Sequence, residues 1–250
     1  LGTRTSFGVN LYNKSLDRVD YEGKEEWGYN EHRVGGDLSL GRPIGPYTRG
    51  FMTLKIEDSE IIPDENGVEP KKKTRSLTLQ TRTDTTDHPF YPLSGMRANL
   101  SIEAAGYFFG GDTQFTKYVG ETSRYFKVGS ADQTLAFRLV GGLATGDLPK
   151  QEEFRVGGAD TLRGYRYGEC RGDRMVYANA EYRFKIAKML QGAVFVDVGQ
   201  AWKSTQGAPQ SLKVGYGVGL RLDTPLGIMR FDYGIGERGG GLFFSIGPSF

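Results

Sequence analysis

Apolar residues recur at every second position along almost the whole chain, and that period sets what it can fold into. Side chains on a β-strand alternate between two faces, whereas a helix returns to one face every 3.6 residues. Phe7, Val9 and Leu11 alternate with Ser6, Gly8 and Asn10, and Met52, Leu54 and Ile56 with Phe51, Thr53 and Lys55. Val176, Ala178, Ala180, Tyr182 and Phe184 oppose Tyr177, Asn179, Glu181 and Arg183. Val214, Tyr216, Val218, Leu220 and Leu222 oppose Gly215, Gly217, Gly219, Arg221 and Asp223. Helical periodicity is almost absent. The pattern predicts strands near 3–13, 29–41, 48–58, 74–85, 95–108, 113–127, 133–144, 174–186, 190–201, 211–223, 227–236 and 241–250.

An even number of antiparallel strands fits a transmembrane barrel. The second face separates that fold from a soluble sandwich. A sandwich would present Lys, Glu and Thr to water. Here the second face mixes Arg with Asp or Glu and with many of the 37 glycines, which suits a crowded, wet barrel interior. The expected fold class is therefore all-β, an antiparallel transmembrane β-barrel of about 12 strands, as one domain over 1–250. No run of 18 apolar residues suggests a membrane helix, and a barrel strand needs none.

The connections alternate in length. Short turns are expected at Gly41–Pro46, Ile186–Met189 and Asp223–Leu226, and longer polar loops at 14–28, 59–73, 146–173 and 202–210. One end with tight turns and one with long loops is the asymmetry of outer-membrane barrels. At the carboxyl end, Leu242, Phe244, Ile246, Pro248 and Phe250 share one parity and read as a lipid-facing stripe. Pro248 lacks a backbone donor, and Gly239 to Gly241 lie at the start of the same segment, so this strand is expected to pair weakly.

Composition removes several functions. With 32 basic and 30 acidic residues there is no basic excess for nucleic acid. The single Cys170 rules out a disulfide framework within the chain and a cysteine-based zinc site. Gly234-Ile-Gly-Glu-Arg-Gly239 has the spacing of a dinucleotide-binding turn, but it leads into a strand and lacks the helix terminus that would hold phosphate. His32 and His88 sit in no metal-ligand pattern, and no nucleophile elbow is present. The expectation is a protein without a metal or cofactor that is not an enzyme.

The 146–173 loop is too long for an idle hairpin connection. It contains Phe154-Arg-Val-Gly-Gly-Ala-Asp-Thr-Leu-Arg-Gly-Tyr165. With Gly157, Gly158, Leu162, Arg163, Gly164 and Tyr165 in these places, the segment resembles the signature of the Omp85 superfamily of outer-membrane assembly and translocation barrels. The resemblance implies a loop whose tip folds back into the barrel. An arginine taken inside needs carboxylate partners, and its planar fork suits a bidentate one. Glu181 and Asp197 stand on the inward parity of the following strands, in Ala180-Glu-Tyr182 and Val196-Asp-Val-Gly199, both similar to family segments.

His88-Pro-Phe-Tyr-Pro92 and the aromatic end also resemble the family, the latter its carboxyl-terminal assembly signal, carried here by Leu242, Phe244, Ile246 and Phe250. The family barrel has sixteen strands, so four amino-terminal strands and the periplasmic POTRA repeats are expected to be missing. The expectation is a piece of a longer chain, with a naturally short barrel as the alternative. The implied function is assembly and insertion of outer-membrane proteins, templating an incoming strand at a weak seam. The alternatives are a two-partner secretion or other translocation pore, and a simple porin-like channel. The implied partners are outer-membrane lipid, unfolded outer-membrane clients and accessory subunits. The implied location is the bacterial outer membrane, with an organelle outer envelope as the alternative.

Overall fold

The computed structural model describes residues 4–22, 25–63, 70–129, 132–209, 211–225, 227–247 and 250. Strands are β1 Ser6–Glu22, β2 Glu25–Pro43, β3 Thr48–Pro63, β4 Lys72–Asp84, β5 Gly95–Ala105, β6 Gln114–Val128, β7 Gln133–Asp147, β8 Phe154–Val156, β9 Cys170–Gly172, β10 Arg174–Ala187, β11 Leu190–Trp202, β12 Lys213–Thr224, β13 Gly227–Gly236 and β14 Gly239–Ile246. The twelve long strands follow one another in chain order in one sheet, and β8 pairs with β9 as a separate hairpin inside the 146–173 loop.

The chain forms two compact units. The first holds β1 to β4, parts of β5, β6 and β7, and the root of the long loop to Glu153. Its apolar rows align across strands, as in Val9–Leu38 and Leu38–Leu54–Leu77. Leu38, Leu54 and Ile56 are exposed, while Asp20, Glu31, Glu57, Ser59, Thr74 and Ser76 are buried on the opposite face.

The second unit holds the remaining parts of β5 to β7 and everything from Phe154 onward. Its inversion is as complete. Val194, Val196, Val214, Tyr216, Val218 and Leu220 are exposed, and Tyr177, Asn179, Glu181, Arg183, Asp197 and Asp232 are buried. Leaving one such apolar side chain in water forfeits about 1.5–3 kcal/mol. A sheet that exposes this many while burying charge is built for a hydrocarbon surround. We expect heat-modifiable migration in mild detergent and a β-rich spectrum. A compact monomer soluble without detergent would refute the reading.

Three expectations need correction. The anticipated loop at 14–28 is mostly strand, since β1 continues to Glu22 and β2 begins at Glu25, while residues 23–24 lie outside the described residues. The loop at 59–73 shrinks likewise, because β3 continues to Pro63 and β4 begins at Lys72, while residues 64–69 lie outside the described residues. The third concerns Phe250. It does not extend the exposed stripe of Leu242, Phe244 and Ile246; β14 ends at Ile246 and the Phe250 ring lies over arginines of the inner face, 4.9 Å from Arg183 and 5.8 Å from Arg138. Gly247 has φ 120, a conformation that breaks the alternation on which parity counting depends. Pro248 lies outside the described residues.

Candidate functional site: the arginine-tipped loop

The tip of the long loop is built on glycines. Gly157 and Gly158 have φ 128 and 97, so the chain can reverse there. Gly158 N–H donates to the carbonyls of Leu162 and Tyr165, both at 3.1 Å, and Gly157 N–H donates to Thr161 Oγ1 at 2.8 Å. These bonds close a compact turn that presents Leu162, Arg163, Gly164 and Tyr165. Leu162, Arg163 and Tyr165 are all buried.

Arg163 meets Asp197 with a two-toothed grip, Nε to Oδ2 at 2.7 Å and Nη2 to Oδ1 at 2.8 Å. Its backbone N–H adds a third bond to Asp197 Oδ2 at 3.1 Å. Nη1 reaches Glu181 Oε1 at 2.5 Å and Asp232 Oδ2 at 3.4 Å. The guanidinium carbon lies 3.4 Å from the centroid of the Phe195 ring, so the fork is stacked as well as paired.

Two further cations complete the cluster. Arg183 Nε binds Glu181 Oε2 at 2.7 Å, and Arg221 Nη1 binds Asp232 Oδ1 at 2.5 Å. Three arginines thus face three carboxylates, each one buried. Asn179 ties the loop's main chain to the same carboxylate, donating to Thr161 O and Asp197 Oδ1, each at 2.8 Å.

The register explains how these groups converge. Asn179 pairs with Asp197 and Asp197 with Gly215, while Glu181 pairs with Phe195. All stand on the inward parity, and the glycines of β12 and β13 leave bare backbone where the loop tip lies. A Cβ on Gly215 would overlap the Arg163 carbonyl oxygen, and one on Gly234 would come 2.7 Å from Gly164 N.

Tyr165 closes the far side. Its hydroxyl donates to Val214 O at 3.0 Å and accepts from Glu237 N–H at 3.3 Å. Burial pushes the hydroxyl's pKa up, so it stays a donor. Burial likewise pushes the Cys170 thiol up, away from reactivity. Beside the cluster, Arg138, Asp160, Arg163, Asn179, Glu181 and Arg230 line a polar cavity of about 260 Å³ that the Phe250 ring also borders. Arg230 pairs there with Asp160.

The structure therefore brings Arg163, Glu181 and Asp197 together. Sequence reasoning missed Asp232, Arg221, Arg183, Phe195 and Asn179. Parity could have found Asp232, which alternates with Phe231 and Tyr233. Nothing in the sequence says that Phe195 carries the guanidinium. Leu242, Phe244 and Ile246 take no part in this cluster; they line the exposed face.

Comparison with known proteins follows the same outline. The Omp85 superfamily domain matches residues 1–250. An outer membrane protein assembly factor BamA from Nitratidesulfovibrio vulgaris is 27% identical over 100% of this chain, which spans 37% of that protein's length. The chloroplastic outer envelope protein 80 of Arabidopsis thaliana is 29% identical over 53% of the chain, which covers 19% of it. Among solved structures, BamA from Haemophilus ducreyi lacking POTRA domains 1-3 superposes with a TM-score of 0.79 at 16% identity, covering 98% of this chain and 59% of that one. CdiB from Acinetobacter baumannii gives 0.69 at 19% identity, covering 98% and 47%.

Proposed function

The chain belongs to the Omp85 superfamily, and we propose that it is an outer-membrane barrel domain, residues 1–250, that assists insertion of other β-strand proteins. The observation that carries the reading is the match along its whole length to an assembly factor. The mechanism is physical and makes no covalent bond. β14 stands last in the strand order and is 8 residues long, so it offers few ladder bonds. A short terminal strand of this kind holds a seam weakly, and a client strand templates on the exposed edge. The latched loop keeps the inner wall fixed while the seam opens. The partners under this reading are outer-membrane lipid, unfolded outer-membrane clients and accessory subunits.

The test is reconstitution. Proteoliposomes carrying the protein should fold a urea-denatured small barrel several-fold faster than empty liposomes, read by its heat-modifiable shift. An unchanged folding rate, with ion conductance in planar bilayers, would favour the translocation-pore or porin-like alternative.

The carboxyl terminus has a separate expected outcome. A cation–π contact such as that of Phe250 with Arg183 contributes about 0.5–2 kcal/mol, too little to decide the stability of a barrel. Deleting Phe250 should therefore lower outer-membrane yield, as for a delivery signal, with little change in the melting of protein that has inserted. Normal yield with a large loss of melting temperature would overturn the signal role.

A further inference from the structure

We propose that Glu152 is a second positioning residue of the long loop, a buried carboxylate that fixes the loop's root as Arg163 fixes its tip. The family signature lies further along the chain, and Lys150-Gln-Glu152 reads in the sequence as ordinary polar connection. In the structure these residues form one turn of 3-10 helix, with Gln151 and Glu152 buried.

Three cations from three strands of the first unit converge on Glu152. Its Oε1 lies 3.2 Å from Lys55 Nζ on β3 and 3.4 Å from Arg33 Nη1 on β2. Its Oε2 lies 3.3 Å from Lys117 Nζ on β6. The main chain is held too. Lys117 Nζ donates to Glu152 O at 2.8 Å, and Arg33 Nη2 donates to Gln151 O at 2.6 Å. Gln151 Nε2 donates to Ser59 Oγ at 2.9 Å, and Lys150 Nζ meets Asp20 at 2.7 Å while lying over the Tyr29 ring.

A connection that merely linked two strands would leave such groups in water. Burying them costs free energy unless every charge is matched, and here each is. Burial alone would push the Glu152 carboxyl up, but Lys55, Lys117 and Arg33 outweigh it and hold the group well below the usual carboxylate range. It is therefore charged at neutral pH. Three points of attachment on separate strands define a position, which one surface ion pair cannot do.

The wall does not depend on this carboxylate. Arg33 also pairs with Glu31 and Glu57, and Lys55 with Glu103. Removing the Glu152 charge should release the loop's root and leave the strands paired. The inference holds whether the barrel inserts or secretes proteins, because its readout is loop accessibility and not transport.

The experiment compares Glu152→Gln, Glu152→Lys and Glu152→Asp in detergent-folded protein, with Arg163→Ala as a control for a released tip. Heat-modifiable migration reports the wall, and limited trypsin cleavage at Arg155, Arg166 and Arg171 reports the loop. Cleavage should rise about tenfold or more in Glu152→Gln and further in Glu152→Lys. Glu152→Asp should restore part of the protection, and pairing Glu152→Lys with Lys55→Glu should restore more. Heat-modifiable migration should persist in all of them. The proposal fails if Glu152→Lys is as protected as the parent while Arg163→Ala is not. It also fails if Glu152→Gln abolishes the heat-dependent shift, since Glu152 would then be part of the wall.

Discussion

Replacing Arg163 with alanine should detach the loop tip from the barrel wall while the strands stay paired. The guanidinium supplies two bonds to Asp197, one to Glu181 and a longer one to Asp232. Without it, Arg183 and Arg221 still serve Glu181 and Asp232. Among the described residues, Asp197 then keeps the Asn179 amide and the residue-163 backbone N–H. A buried carboxylate stripped of its cation costs about 3–5 kcal/mol, enough to favour withdrawal of the tip so that water can reach the acid. Trypsin should then cleave at Arg166, and tyrosine-directed proteases at Tyr165, far faster than in the parent.

Arg163→Lys should not rescue, because an ammonium cannot grip both oxygens of Asp197 and stack on Phe195. Adding Asp197→Asn to Arg163→Ala should cost less than the two changes summed, since the residues act on each other. Unchanged protease resistance in Arg163→Ala would end the latch reading.

The strands were legible because lipid imposes an apolar side chain on one face at every second position. Where the sequence misled, that imposition stops. A strand crosses the hydrocarbon with about 9–11 residues, yet β1 has 17 and β2 has 19. Beyond the apolar stretch of Phe7, Val9 and Leu11 the ladder continues with polar pairs. Asn30 Nδ2 donates to Asp17 at 2.8 Å, and Ser15 Oγ to Asn30 Oδ1 at 2.9 Å. Backbone pairing needs no hydrophobic pattern, so strand in water has the composition of loop.

The cluster was half legible for a related reason. Arg163 stood out because it lies in a loop that also reverses on two glycines, and Glu181 and Asp197 because they follow on the inward parity. Which glycines make room, and which ring stacks, depend on register across strands distant in sequence. Gly199 and Gly215 carry the same parity, yet the loop's arginine carbonyl lies against Gly215, whereas at Gly199 the neighbour is the Tyr177 side chain. The Glu152 clamp was hidden entirely, since Arg33, Lys55 and Lys117 are spread over three strands and each reads alone as an ordinary inward charge.

Gly215→Ala should release the loop tip with every charge left in place. Its Cβ would overlap the Arg163 carbonyl oxygen, and that atom belongs to the backbone, so no rotamer change relieves it. Retreat of β12 is opposed by its ladders to β11 and β13. Retreat of the tip is opposed by the side-chain bonds of Arg163, Asn179 and Tyr165. Gly164 cannot give way, since it has φ 92 and its own Cβ position is 2.6 Å from Ile235 C. Overpacking commonly costs about 1–3 kcal/mol, and backbone obstruction places this change at the upper end. The matched control is Gly141→Ala, where an added Cβ meets nothing within 4 Å. Cleavage at Arg166 should rise in Gly215→Ala and stay at the parental rate in Gly141→Ala, with heat-modifiable migration kept in both. If Gly215→Ala stays protected, the ion pairs alone seat the loop, and the bare backbone of β12 is incidental. If it is cleaved like Arg163→Ala, shape and charge are separately required, because a fork aligned to Asp197 cannot close on it when the main chain behind the fork is held off.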